Sequence, residues 1–330
     1  MKSDLLRWIV CPICKNGLTL ERTSDPTSPD EVMSGILTCT GCGNVYPIEN
    51  SIPRFVPRTT YASSFGFQWQ RHARTQLDSV SGLKISRDRF FKVTGWPEDM
   101  TGQIVLEAGC GAGRFTEIAL GTGARVFSFD YSLAIDANYR NNGHAPNLCL
   151  YQADIYHPPF AENTFDKIFC FGVLQHCPDV KGAFMSLLPP LKHGGEVVID
   201  IYNRHPWIYL LDSKYWLRPL TKHIPNERLY RMVETIVPLL LPLKETLLDI
   251  PYLRTYLAGF IPVASYKRKY SLSPEQLLEW SILDTFDMLS PMFDQPQRIE
   301  DVRSWFNEAG LTNVSVDYGP NGINGRGTKQ

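Results

Sequence analysis

Ile104-Val105-Leu106-Glu107-Ala108-Gly109-Cys110-Gly111-Ala112-Gly113 decides how this chain folds. An apolar run that reads as a strand enters three glycines at alternate positions, and Arg114 to Leu120 then reads as a helix. A strand-to-helix turn this tight needs backbone that no side chain obstructs, and it leaves bare N–H groups where a ligand can approach a helix N-terminus. A dinucleotide fingerprint would place another glycine at position 114, where bulky Arg114 stands. Hydride-transfer chemistry is therefore disfavoured, and the spacing suits a ligand with one carboxylate and a ribose. Glu107 is placed to accept from that ligand's amino group or a bridging water.

Outward from this turn, short apolar runs alternate with longer amphipathic ones, the pattern of an α/β chain around a parallel sheet. Strands are expected at Ile104 to Ala108, Arg125 to Asp130, Leu148 to Gln152, Phe165 to Phe171 and Glu196 to Tyr202. Ligands bind such sheets outside the carboxyl ends of the strands. Asp130 ends the second strand, where a carboxylate can accept from both ribose hydroxyls, with Tyr131 beside it. Asp154 and Ile155 follow the third strand, with the Asp154 carboxylate set to receive an adenine amine, though a turn or cap is its bland alternative. The fourth ends at Phe171 and runs into Gly172-Val173-Leu174-Gln175-His176-Cys177-Pro178-Asp179, opening on the ligand's reactive end.

These segments resemble the class I S-adenosylmethionine-dependent methyltransferases over residues 101 to 202 and 300 to 318. The matching stretches are Val105 to Gly113, Phe129-Asp130-Tyr131-Ser132, Gln152-Ala153-Asp154 and Leu191-Lys192-His193-Gly194-Gly195. The resemblance implies a seven-stranded Rossmann-like sheet whose last strand is antiparallel. It also implies S-adenosylmethionine contacts at Glu107, Gly109, Gly111, Gly113, Asp130 and Asp154, with Tyr131, Ile155 and Phe171 alongside. Methyl transfer is an in-line displacement in which positioning does most of the work, and a base is needed only when the acceptor must lose a proton. His176 is the leading candidate base, with Tyr202 and His157 as weaker ones; each also has a purely structural reading.

The N-terminal segment carries a separate signal. Cys11-Pro12-Ile13-Cys14 and Cys39-Thr40-Gly41-Cys42 share the C-x2-C spacing that lets thiolates converge on one tetrahedral ion. Structural zinc is the favoured reading; iron, a redox dithiol and metal-free cysteines are the alternatives. With Tyr46-Pro47-Ile48 after its last cysteines, the segment looks like the Trm112-type zinc domain fused to some bacterial methyltransferases. Thr23 to Pro29 reads as a surface loop within it. Cys110, Cys149, Cys170 and Cys177 lack metal spacing and read as small buried hydrophobes.

The expected divisions are a zinc ribbon over 1–57, a helical linker over 58–100, the methyltransferase core over 101–202, a helical lid insert over 203–290 and completion of the core over 291–330. In the last, Glu300 to Ala309 is a helix stopped by Gly310, and Val314 to Tyr318 a late strand. The insert is aromatic, with Trp207, Tyr209, Tyr215, Trp216, Tyr230, Tyr252, Tyr256 and Phe260. These rings enclose a hydrophobic acceptor or pack the lid. Tyr266-Lys267-Arg268-Lys269-Tyr270 suits an anionic group or a solvated face, and Asp284, Asp287 and Asp294 are candidates for an acceptor pocket.

With 43% hydrophobic and 20% charged residues, the 330-residue chain is neither disordered nor collagen-like. Thirty-three basic against 34 acidic residues give no overall field for nucleic acid or an anionic membrane. Ile236 to Pro262, the most apolar stretch, is broken by prolines and charges, so no transmembrane segment is expected. Met1 to Val10 lacks a signal-peptide pattern, which makes cytoplasm the default. The function expected is methyl transfer to a small-molecule or biosynthetic-intermediate acceptor. An RNA methyltransferase and a catalytically silent partner-binding protein are the competing readings; near-zero net charge weighs against the first, and the intact glycine turn against the second.

Overall fold

The structure, a computed structural model, describes residues 1–23, 31–205, 211–251, 257–267 and 269–330. Most of the Thr23 to Pro29 loop, together with Trp207, Tyr209, Tyr252, Tyr256 and Arg268, lies outside the described residues.

The first four strands, β1 (Leu18–Arg22), β2 (Gly35–Cys39), β3 (Val45–Glu49) and β4 (Ile52–Pro53), form an antiparallel sheet in chain order. Helices α1 (Ser63–Arg71), α2 (Asp78–Ser81) and α3 (Ile85–Thr94) follow. Then come β5 (Ile104–Ala108), α4 (Arg114–Gly121), β6 (Arg125–Asp130), α5 (Ala134–Asn142), β7 (Leu148–Gln152), β8 (Phe165–Phe171), α6 (Val180–Met185) and β9 (Leu191–Ile201). The lid contains α7 (Lys214–Thr221), α8 (Asn226–Asp249) and α9 (Pro274–Leu289), and the chain closes with α10 (Ile299–Glu308), β10 (Thr312–Gly319) and β11 (Gly322–Thr328). The large sheet has the order β10-β11-β9-β8-β5-β6-β7, and β11 runs against both neighbours. This is the seven-stranded arrangement expected.

Four of the five expected parallel strands have the bounds read from sequence. The fifth, β9, begins at Leu191, because Lys192 to Gly195 is absorbed as an irregularity in its register with β8. Tyr202 therefore falls just past its end. The sequence reading assigns no strand to β11, whose Gly322-Ile323-Asn324-Gly325-Arg326-Gly327-Thr328 has no apolar run. Its glycines answer to packing: a methyl at Gly325 would stand 2.6 Å from the Phe306 ring on α10. The strand is carried by its ladders to β9 and β10 rather than by side-chain preference.

The ribbon shares its core with the large sheet. Leu5, Ile9, Leu37, Tyr46 and Phe55 are buried in one cluster with Phe127, Phe129, Tyr151 and Phe160. Val10 N–H donates to Pro159 O at 3.0 Å, and Phe55 N–H to Gln152 O at 2.8 Å. Arg54, 4% exposed, reaches across to Asp136 at 2.5 Å and Gln152 at 3.3 Å. The lid helices make their own core from Leu229, Tyr230, Val233, Val237, Phe286 and Leu289. Among the described residues, no helix is long and apolar enough to cross a membrane.

Candidate functional site

A cavity opens at the carboxyl ends of β5, β6, β8 and β9, roofed by α1 and by lid helix α9. One wall comes from the sheet: Gly109, Gly111, Asp130, Tyr131, Ile155 and Phe171. The glycine turn is built for close approach. Gly109 has φ +78°, and a methyl there would stand 2.3 Å from Val173. Asp130 is fixed from both sides: Gly111 N–H donates to Oδ2 at 2.9 Å, while Ser132 donates to Oδ1 from its N–H at 2.8 Å and its hydroxyl at 2.7 Å. Burial pushes the Asp130 carboxyl above the usual carboxylate range, against the pull of those donors.

Three residues expected to touch the cofactor lie off the cavity wall. Glu107 is 2% exposed, and its Oε2 accepts from Thr116 at 2.5 Å and Ser128 at 2.8 Å behind the turn. Burial pushes its carboxyl up to about 8, with Asp130 adding to the effect. Gly113 gives close packing, since a methyl there would meet Asn138 Oδ1 at 2.3 Å. Asp154 heads a turn: its Oδ1 accepts from Tyr156 N–H at 3.0 Å, and Ile155 supplies the wall instead. His157, 62% exposed in its side chain, stands 3.8 Å from Asp154 and away from the cavity.

The opposite wall is aromatic and acidic. His176 is 8% exposed, with its ring 4.9 Å from Phe65 and 5.8 Å from Tyr202. Its Nδ1 lies 2.9 Å from the carbonyl oxygen of Phe293. A carbonyl can only accept, so Nδ1 carries a hydrogen, and in the neutral tautomer that this contact selects the lone pair lies on Nε2. Tyr266, Tyr270 and Trp280 close the wall with mutual ring contacts. Asp284 and Asp287 project from α9. Burial and then Asp287 push the Asp284 carboxyl up to about 8; burial also raises Asp287, against the pull of His176. Burial and these carboxylates hold the Tyr202 phenol well above its ordinary range. Asp294 does not line the cavity: burial raises its carboxyl, but Lys214 at 3.3 Å and Arg218 at 2.5 Å outweigh that and hold it low.

The sequence reading misses Gln68, Trp69, Arg89 and Asp200, and treats Arg114 only as an obstacle. Asp200, fully buried at the end of β9, pairs with Arg89 and accepts from Gly172 N–H at 2.7 Å and Asn321 at 3.2 Å. Its signal was available, because it is an acid next to the carboxyl end of an apolar strand, close to the position that Asp130 holds on β6. Arg114 lines the cavity, held by Gln76 Oε1 at 2.5 Å and Ser86 Oγ at 3.1 Å; burial and Arg89 lower its guanidinium to about 10, so it remains a cation. The residues of α1 and α3 carry no motif, because distant segments supply them.

In the ribbon, the Sγ atoms of Cys11, Cys14, Cys39 and Cys42 all lie within 4.8 Å of one another. Tetrahedral zinc with sulfur ligands at about 2.3 Å sets its sulfurs roughly 3.8 Å apart, so the four thiolates fit such an ion. N–H groups of Gly41 and Cys42 point at Cys39 Sγ at 3.4 and 3.5 Å, as the turn of a metal knuckle requires.

The chain matches the family described as Methyltransferase domain over residues 106–199 and the Trm112p-like protein family over residues 2–51. It is 30% identical to demethylmenaquinone methyltransferase of Thermobifida fusca over 38% of this chain and 55% of that protein, so it spans about half the length of that relative. It is 32% identical to ubiquinone biosynthesis O-methyltransferase of Glaesserella parasuis over 48% of this chain and 73% of that protein. A methyltransferase structure from Methanococcus maripaludis shares 14% identity at a TM-score of 0.45, over 83% of this chain and 96% of the other.

Proposed function

Because the chain belongs to the S-adenosylmethionine-dependent methyltransferases, we propose that it methylates a small, largely apolar acceptor seated between the glycine turn and the lid. Bound S-adenosylmethionine supplies a methyl on a positively charged sulfur, which leaves as a neutral thioether. The observation that carries this reading is the Asp130 carboxylate, clamped by Gly111 and Ser132 beside a glycine turn that opens into a cavity.

Asp130 would accept from the ribose hydroxyls, because both its oxygens are already oriented by fixed donors. Tyr131, Ile155 and Phe171 would flank the nucleoside with apolar surface, and Gly109 and Gly111 let it reach the backbone. Arg114 is paired with neutral oxygens, so its charge is available to the cofactor's carboxylate. At the far end His176 is positioned by Phe293 so that Nε2 faces the work of taking a proton from an acceptor hydroxyl or amine. Tyr202 keeps its proton and would donate a hydrogen bond instead. Asp284 and Asp287 would receive hydrogen-bond donors of the acceptor within an otherwise aromatic wall. Zinc would hold the ribbon together, a structural role, since four thiolates leave no open coordination position.

Calorimetric titration with S-adenosylhomocysteine tests the cofactor half of this reading. Micromolar affinity is expected, with a loss of about 100-fold in Asp130→Ala, the worth of two charge-assisted hydrogen bonds. No binding by the folded, zinc-loaded wild type, or an unchanged affinity in the variant, would refute it.

A further inference from the structure

Lid helix α8 has more apolar surface than its own fold uses. Its inward face, including Leu229, Val233, Val237 and Leu241, is buried in the lid core. A second stripe, Met232, Ile236, Leu239 and Leu243, stands 42%, 39%, 72% and 52% exposed. At 3.6 residues per turn it is rotated by roughly 110° from the buried face. Glu227, Glu234 and Glu245 occupy a third face, and Pro238 and Pro242 lie off the stripe. A helix facing only water would carry charge at these four positions.

The alternating spacing of four and three residues is that of heptad a and d positions, the narrow seam that one helix presents to another. We propose that this stripe pairs with α8 of a second copy of the chain, in antiparallel orientation. When Ile236 is set against Leu239 of the second copy, Met232 meets Leu243 of that copy, and twofold symmetry repeats both contacts to fill four layers. In the same register the flanking Arg228 and Asp249 face each other across the seam at both ends. Arg228 is exposed, and Asp249 is half-exposed, with Lys267 Nζ 3.1 Å away. A parallel pair would gather both Arg228 side chains at one end and both Asp249 side chains at the other, with no opposite charge across the seam, so charge selects the antiparallel arrangement. One helix pair buries less than the roughly 800 Å² per partner of a standard interface, so micromolar association is expected.

Sedimentation of the full zinc-loaded chain through the micromolar range should show a concentration-dependent dimer. Leu239→Glu should be monomeric while keeping its affinity for S-adenosylhomocysteine. Arg228→Glu should weaken the dimer about tenfold, and Arg228→Glu with Asp249→Arg should restore it. An equimolar mixture of Ile236→Cys and Leu239→Cys chains should form a disulfide-linked dimer under mild oxidation that neither variant forms alone above the wild-type background. A monomer at every concentration would overturn the proposal. So would self-crosslinking of the single variants without crosslinking of the mixture, which is the parallel outcome. A monomer that sediments with phosphatidylcholine–phosphatidylglycerol vesicles in a Leu239-dependent way would overturn it too and assign the stripe to lipid.

Discussion

With zinc held by the four thiolates as proposed, stripping it from the ribbon, or replacing Cys39 with serine, is expected to lower the melting temperature by on the order of 10 °C and to weaken S-adenosylhomocysteine binding as well. The first effect follows from scale. A four-stranded ribbon of short strands has little interior of its own, and metal binding supplies about 10 kcal/mol or more in domains that fold around zinc. The second follows from where the ribbon ends. Phe55 N–H bonds Gln152 O, the Gln152 side chain donates to Tyr131 O at 3.2 Å, and Arg54 pairs with Asp136 on the helix after Asp130. Tyr61 then lays its ring 5.0 Å from Tyr131. Loss of the ribbon would therefore free the loop that aims Asp130. Zinc quantification on chelation, a thermal melt and a calorimetric titration check the chain of effects. A chelated protein that melts and binds like the untreated one would refute the coupling.

What the sequence made legible was whatever one local segment could carry. The turn at Gly109 to Gly113 fixed β5 and α4, and C-x2-C spacing brought Cys11, Cys14, Cys39 and Cys42 together without any knowledge of the fold. Strands buried on both faces announced themselves as apolar runs, which is why β5 to β8 have their expected bounds. β11 escaped because its glycines serve Phe306, a partner set by tertiary packing. The site divides in the same way. Asp130 ends a strand and His176 lies in the turn after one, both with motif context, whereas Arg89, Gln68 and Trp69 arrive on helices that only the folded chain brings over the sheet. Glu107 and Gly113 share a motif with Gly109, yet their side-chain positions point into the protein. A motif marks a segment as important without saying which of its residues the ligand meets.

Glu107 makes that distinction measurable. Its carboxyl is 2% exposed, and burial, reinforced by Asp130, raises it from an ordinary 4.5 to about 8, against hydrogen bonds from Thr116 and Ser128. A group whose folded pKa exceeds its unfolded value contributes fully below the unfolded pKa and loses that contribution as pH rises through the folded one. The chain should therefore lose stability progressively between about pH 4.5 and 8, by roughly 4–5 kcal/mol from this residue at the plateau. Glu107→Gln preserves the shape and an acceptor for Thr116 and Ser128 but cannot ionise. It should be nearly neutral at pH 5 and clearly stabilising at pH 8, and urea melts of both chains across this range would show the two curves separating. Parallel curves would mean that Glu107 is already ionised at pH 5, and would place it back among the groups that meet a charged ligand. If they separate as expected, the buried carboxyl costs stability at neutral pH in holding Thr116 and Ser128 under the glycine turn, the exchange anticipated where a fold sets stability aside to fix a site.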